Sequence, residues 1–168
     1  QFQHKLLSRL QDLAQQVDDM LLFARSGTAQ QVAPFTLQQL MSQLNTSIEA
    51  LLQQHNARLT IQCAEMNWRL LGNQNALCGA LENLIQNSIQ AVAEQAQIML
   101  QVTLSEQHSG MVVLRVSDNG PGVSPALQHS LFEPFVTGRA QGTGLGLAVV
   151  QAVASSHQGS VRYVPTGH

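Results

Sequence analysis

Three groups of residues in this chain have types and spacing that suit chemistry: an aspartate at the end of an apolar stretch, two asparagines one helical turn apart, and a glycine run that opens a helix. The aspartate is Asp118, in Asp118-Asn119-Gly120-Pro121-Gly122. The residues before it, Met111-Val112-Val113-Leu114-Arg115-Val116, are β-branched and apolar and predict a strand that delivers the carboxylate. Asn-Gly followed by Pro-Gly then forces a tight turn, because glycine accepts positive φ and proline cannot continue a ladder. A lone carboxylate fixed there, under a loop that lets backbone approach closely, is suited to hold a base. It accepts from an exocyclic amine such as adenine N6 and repels the O6 acceptor of guanine. Alone, the stretch also fits a plain strand and hairpin turn. Its company decides between them.

The asparagines lie in Leu81-Glu82-Asn83-Leu84-Ile85-Gln86-Asn87-Ser88-Ile89-Gln90-Ala91-Val92. At about 100° per residue, Leu77, Leu81, Leu84, Ile85, Ser88 and Val92 share one broad face of a helix. Asn83, Asn87, Gln90 and Glu94 form a polar stripe opposite. Asparagine is a poor interior helix former, since its side chain competes for the backbone, so two of them a turn apart need a use. Amide oxygens are hard ligands that suit a Mg²⁺ ion which keeps its waters and bridges phosphates. The alternative is a solvated polar face.

The glycine run closes the third stretch, Leu131 to Leu147, where polar Thr137-Gly138-Arg139-Ala140-Gln141 leads into Gly142-Thr143-Gly144-Leu145-Gly146 and then an apolar helical run. Glycines that open a helix expose N–H groups at the positive end of its dipole, which is an anion site. Arg139 adds a fork of donors for a terminal phosphate. A bare G-x-G-x-G is weak evidence, and here it follows a loop where a dinucleotide fold would place a strand.

In this order and spacing the stretches resemble the N, G1, F and G2 boxes of sensor histidine kinases, in the ATPase superfamily shared with gyrase, the MutL proteins and the ninety-kilodalton heat-shock chaperone. The resemblance covers nearly the whole chain and is nearest to the nitrogen- and flagellar-regulation kinases. It implies that Asp118 holds adenine, Asn87 binds Mg²⁺ and Asn83 sits beside the phosphates. It also implies that Gly120 and Gly122 shape the base pocket, while Thr137, Arg139, Gly142, Thr143, Gly144, Leu145 and Gly146 cradle the phosphates under a short lid. Gln90 and Arg139 stand where many relatives carry lysine, and Gly138 replaces a usual threonine.

The activity implied is transfer of the γ-phosphoryl of ATP to a histidine, then to the receiver domain of a response regulator, a σ54-type activator among the candidates. Asn83 and Arg139 would act in catalysis, with Glu82 a candidate base for the acceptor imidazole although it projects off the polar stripe. Related hydrolases carry glutamate at the Asn83 position, and an amide cannot activate water in that way. An ATP-gated dimerisation module, or an ATPase of the same superfamily, is the alternative reading.

These groups need a scaffold. At 168 residues with 44% hydrophobic content, the chain has room for one α/β domain plus an appendage. Its net charge of −2 gives no electrostatic case for nucleic acid or an anionic membrane. Lys5 is the one lysine, which excludes a Walker-type phosphate loop. Cys63 and Cys78 lack metal or redox spacing and read as reduced thiols of a cytoplasmic protein. There is no run of 18 apolar residues, so a soluble portion is expected.

Residues 1–26 predict a long helix whose Leu6, Leu10, Leu13, Val17, Met20 and Ala24 make the heptad seam of a coiled coil. It resembles the second helix of the kinase dimerisation domain and implies a homodimer. Residues 27–35 read as a linker, and 36–168 as the ATP-binding domain. Within that domain Thr36-x-x-Gln39 is a capping-box start to a helix that Asn56 closes. Strands are expected at Arg58–Cys63, Trp68–Leu71, Ile98–Leu104, Met111–Val116 and Ser160–Val164, with helices near Asn75–Gln95 and Leu145–Ser156. The fold expected is a two-layer α/β (α+β) sandwich, its mixed sheet covered on one face by helices. By the same resemblance, the family's usual last strand is expected to lie beyond these residues. His4 is followed by Lys5-Leu6-Leu7-Ser8, without the acid and proline of the family's acceptor motif, so the acceptor histidine is expected elsewhere.

Overall fold

The computed structural model describes residues 2–26, 31–92, 94–136 and 145–165. In chain order the elements are α1 (Phe2–Ser26), β1 (Ala33–Thr36), α2 (Leu37–Gln54), β2 (Arg58–Cys63), β3 (Arg69–Gly72), α3 (Gln74–Ala91), β4 (Gln97–Leu104), β5 (Val112–Asp118), α4 (Pro125–Gln128) and α5 (Gly146–Ser156). They fall into two compact units, Gln31–Gly122 and Gln1–Gln30 with Val123–His168.

The unit Gln31–Gly122 is built on β4. Ile98, Leu100 and Val102 alternate with the less buried Gln97, Met99, Gln101 and Thr103, so one face of the strand is sealed and the other is more open. β2 pairs with β4 in parallel and β5 pairs with it antiparallel, which gives the mixed sheet order β2-β4-β5. A parallel pair needs a crossover, and β3 with α3 supplies it. α2 repeats apolar residues at helical spacing, and Leu37, Leu40, Met41, Leu44 and Ile48 are all buried. With Leu81, Ile85 and Ile89 of α3 they close one core over the inward face of the sheet. This is the helix-covered mixed sheet that the pattern predicts.

The capping box forms as read. Gln39 N–H donates to Thr36 Oγ1 at 3.2 Å, and Thr36 N–H donates to Gln39 Oε1 at 2.9 Å. At the far end Asn56 takes a left-handed φ of 50°, which asparagine tolerates better than most residues. Thr36→Ala should therefore lower stability by about 1 kcal/mol. A chemical denaturation midpoint that falls in Thr36→Ala and is recovered in Thr36→Ser, with an unchanged slope, is the expected result.

Within this unit the structure differs from the sequence reading at two places. The segment read as linker ends in a strand: β1 begins at Ala33 and pairs antiparallel with β3, Phe35 opposite Leu70. That partner is remote in sequence, and Pro34 argues locally against a strand. α3 stops at Ala91, short of Gln95. Val92 is extended, with φ −102° and ψ 125°, because the chain must turn back to start β4 at Gln97. Glu94 thus lies beyond the helix and leaves the polar stripe.

In the other unit, residues 160–164 make no ladder among the described residues. Their alternation survives as half-buried Val161 and Tyr163, and the tie is a side-chain one, Val123 N–H donating to the Tyr163 hydroxyl at 3.1 Å. α5 buries Ala148, Val149, Val150 and Val153 and contacts α1. Leu6, Leu10, Leu13 and Val17 of the α1 seam are nevertheless 51–56% exposed, so nothing described covers that face. Met20 and Ala24 lie beyond the described side chains of the helix.

Candidate nucleotide site

β5 carries Asp118 as its last residue, opposite Ile98 of β4. Its carboxylate is exposed but not loose, because Gly120 N–H donates to Oδ1 at 2.8 Å. The next residue, Asn119, turns its Oδ1 back to accept from Gln97 N–H at 2.9 Å. The two glycines of the turn have separate reasons. A Cβ on Gly120 would lie 2.9 Å from Asp118 Oδ1 and 3.1 Å from Val92 Cγ2, so only glycine lets the loop close on the carboxylate and the end of α3. Gly122 holds φ at +81°, a left-handed conformation that costs glycine little.

α3 grades from buried to exposed along its polar stripe. Asn83 is buried, Asn87 half-buried and Gln90 exposed. A merely solvated face does not account for Asn83 at 8% exposure. Glu82 sits off that stripe, as projected. It is half-buried, and its Oε1 accepts from Cys78 Sγ at 3.4 Å, while Ser47 Oγ of α2 approaches the same sulfur at 3.9 Å. Burial, and then the charge of Glu82, push the Cys78 thiol up to about 12, so the sulfur keeps its proton and remains a donor. A Cys and a Glu four apart on one helix face each other, and that spacing could have revealed the pair from sequence.

Thr137, Gly138, Arg139, Gly142, Thr143 and Gly144 lie outside the described residues. Leu145 is buried at the N-cap of α5, Gly146 is the first helical residue, and Val149 N–H returns to Leu145 O at 2.9 Å. Phe135, exposed, holds φ at 65°, uncommon for a residue with a bulky side chain.

Residues 72–167, more than half of the chain, match the family model described as histidine kinase-, DNA gyrase B-, and HSP90-like ATPase. The chain belongs to this ATPase family. Among relatives, it is 39% identical over 163 residues to the sensor protein kinase FleS of Pseudomonas aeruginosa, covering 96% of this chain and 39% of that one. It is 33% identical over 172 residues to the sensor histidine kinase CpxA of Escherichia coli K12, covering 94% of this chain and 36% of that one. The ATPase chain thus spans little more than a third of the length of these relatives. Among solved structures, the histidine kinase ThkA in complex with the response regulator protein TrrA superposes with a TM-score of 0.69 at 20% identity, covering 91% of this chain and 43% of ThkA. That likeness is one of fold, and it agrees with the helix-covered mixed sheet. In this family ATP is the nucleotide to be held, and an aspartate oriented by its own loop is a group able to select adenine.

Proposed function

We propose that the chain is the catalytic ATP-binding part of a sensor histidine kinase, moving the γ-phosphoryl of ATP to a histidine outside residues 1–168 and thence to a response-regulator aspartate. The observation that carries the reading is the Asp118 carboxylate, held by Gly120 N–H within a unit whose α3 presents buried Asn83 and half-buried Asn87. Asp118 accepts the adenine amine through the oxygen that Gly120 does not hold, and Gly120 and Gly122 shape the floor beside it. Asn83, an amide, cannot serve as a general base for water, so transfer is favoured over hydrolysis. In this reading Thr137, Arg139, Gly142, Thr143, Gly144, Leu145 and Gly146 bind the phosphates, as glycine-rich residues that open a helix suit an anion. Glu82 takes the acceptor imidazole proton. Its hydrogen bond from Cys78 must yield, or its second oxygen must act.

Mg²⁺ is the metal that suits these donors. Among the described residues no group of three or more His, Cys, Asp and Glu could hold an ion. The amide oxygen of Asn87 is a hard ligand fit for an ion otherwise held by phosphates and water. Such an ion supplies charge neutralisation at the phosphates when bound, and the chain's own part is to position the nucleotide.

The exposed α1 seam supports a homodimer, and the complex of ThkA with the response regulator protein TrrA supports a response-regulator receiver domain as partner, with σ54-type activators among the candidates. The reading places the chain in the cytoplasm, where ATP is supplied, and assigns it no nucleic-acid or membrane contact. No described helix is long and apolar enough to cross a membrane.

Transfer in trans tests the reading. With γ-labelled Mg·ATP, label should pass to a supplied acceptor hairpin. Asn87→Ala should lose most of that transfer while metal-free ATP binding falls by less than about threefold, a change under 1 kcal/mol. Equal loss of both would make Asn87 structural. Rapid ATP hydrolysis without transfer would move the chain to the hydrolases of its family.

A further inference from the structure

An antiparallel ladder supplies a main-chain acceptor for every N–H that points across it. β4 and β5 keep that pattern from Leu104 opposite Val112 to Ile98 opposite Asp118. There the chain leaves the sheet for Asn119-Gly120-Pro121-Gly122, and Gln97, the first residue of β4, loses the next rung. Its N–H is met instead by Asn119 Oδ1 at 2.9 Å, a side-chain amide in place of a carbonyl. One residue on, Gly120 N–H holds Asp118 Oδ1 at 2.8 Å. The turn is therefore tied twice. Asn119 fastens it to the sheet, and Gly120 fastens the carboxylate to the turn.

The two ties are in series. Gly120 also packs against the end of α3, with an added Cβ only 3.1 Å from Val92 Cγ2, so the turn has little room to shift without moving the carboxylate. We propose that Asn119 is a positioning residue for base recognition, its side-chain oxygen replacing a ladder acceptor so that the Asp118 carboxylate is aimed at a purine amine. It rests on the reading that Asp118 binds adenine. Asn119 touches no base itself, and any residue with a suitably placed acceptor oxygen would serve.

The test is nucleotide selectivity of the 168-residue chain, read by calorimetry with ATP and with purine riboside triphosphate, which lacks the exocyclic amine. The readout is the ratio of the two affinities, which partial unfolding of a variant leaves unchanged. The parent should prefer ATP. Asn119→Ala should reduce that preference about two- to tenfold, the range for one net hydrogen bond. Asn119→Asp keeps an acceptor oxygen and should retain most of the parent ratio. An Asn119→Ala ratio equal to the parent's overturns the proposal, as does an Asn119→Asp ratio that falls as far as alanine's. Asp118→Ala separates the two claims. If it leaves the parent preference intact, the adenine reading itself fails. If it abolishes the preference while Asn119→Ala keeps it, only the positioning role fails.

Discussion

Asp118→Ala should weaken ATP and ADP binding by about tenfold or more. The variant removes a charged acceptor, and a hydrogen bond to a charged group contributes about 1.5–3 kcal/mol, where 1.4 kcal/mol is a factor of ten. The loss has a second source. Gly120 N–H donates to Asp118 Oδ1, so alanine also strips the turn of the acceptor that orders it. The turn that shapes the floor of the proposed pocket should then be held less firmly. Base choice should change with affinity, because guanine's O6 no longer faces a carboxylate, and the ATP-to-GTP ratio should fall. Equal ATP affinity of variant and parent in calorimetry would remove Asp118 from the site.

The arm gives an all-or-none result. Incubated with γ-labelled Mg·ATP, the chain should carry no acid-labile phosphate of its own, because His4 lacks the acid and proline that accompany the family's acceptor. It should also self-associate only weakly. Leu6, Leu10, Leu13 and Val17 expose about half of each side chain, a seam with apolar area to bury, but a two-stranded seam of fewer than three heptads buries little. Adding an upstream hairpin that bears a histidine should restore both tight association and self-phosphorylation. Label on His4, or a tight dimer that survives Leu13→Asp, would refute this account of α1, since a charge at Leu13 has no place in a buried seam.

What could be read from sequence was what local patterns encode. The capping box at Thr36 and Gln39, the apolar spacing of α2 and the alternation in β4 each carry their own signal, and each forms. The placement of Asp118 at a strand end was legible too, from the run of β-branched residues that ends just before it. β1 was not, because it exists only through β3, more than thirty residues on, as Ala33 opposite Gly72 shows. The end of α3 was overrun because Val92 and Glu94 continue the helical pattern, whereas the return to β4 ends the helix at Ala91. For the candidate site, residue types pointed to Asp118 and the asparagines but not to the tie made by Asn119, whose partner Gln97 lies 22 residues away. Residues 137–144, read from sequence as a lid, fall outside what the structure describes.

β4 has one further consequence. Among the described strands it alone is flanked on both sides, by β2 and β5, and its inward residues are sealed in the core. Amide protons of such a strand reach solvent only when the whole unit opens, while the two-stranded β1–β3 ribbon can part in a smaller event. Hydrogen exchange should therefore run slowest along Ile98, Leu100 and Val102. Asp118, the residue proposed to read the base, is paired opposite Ile98, which sets that proposed role beside the last strand to let go.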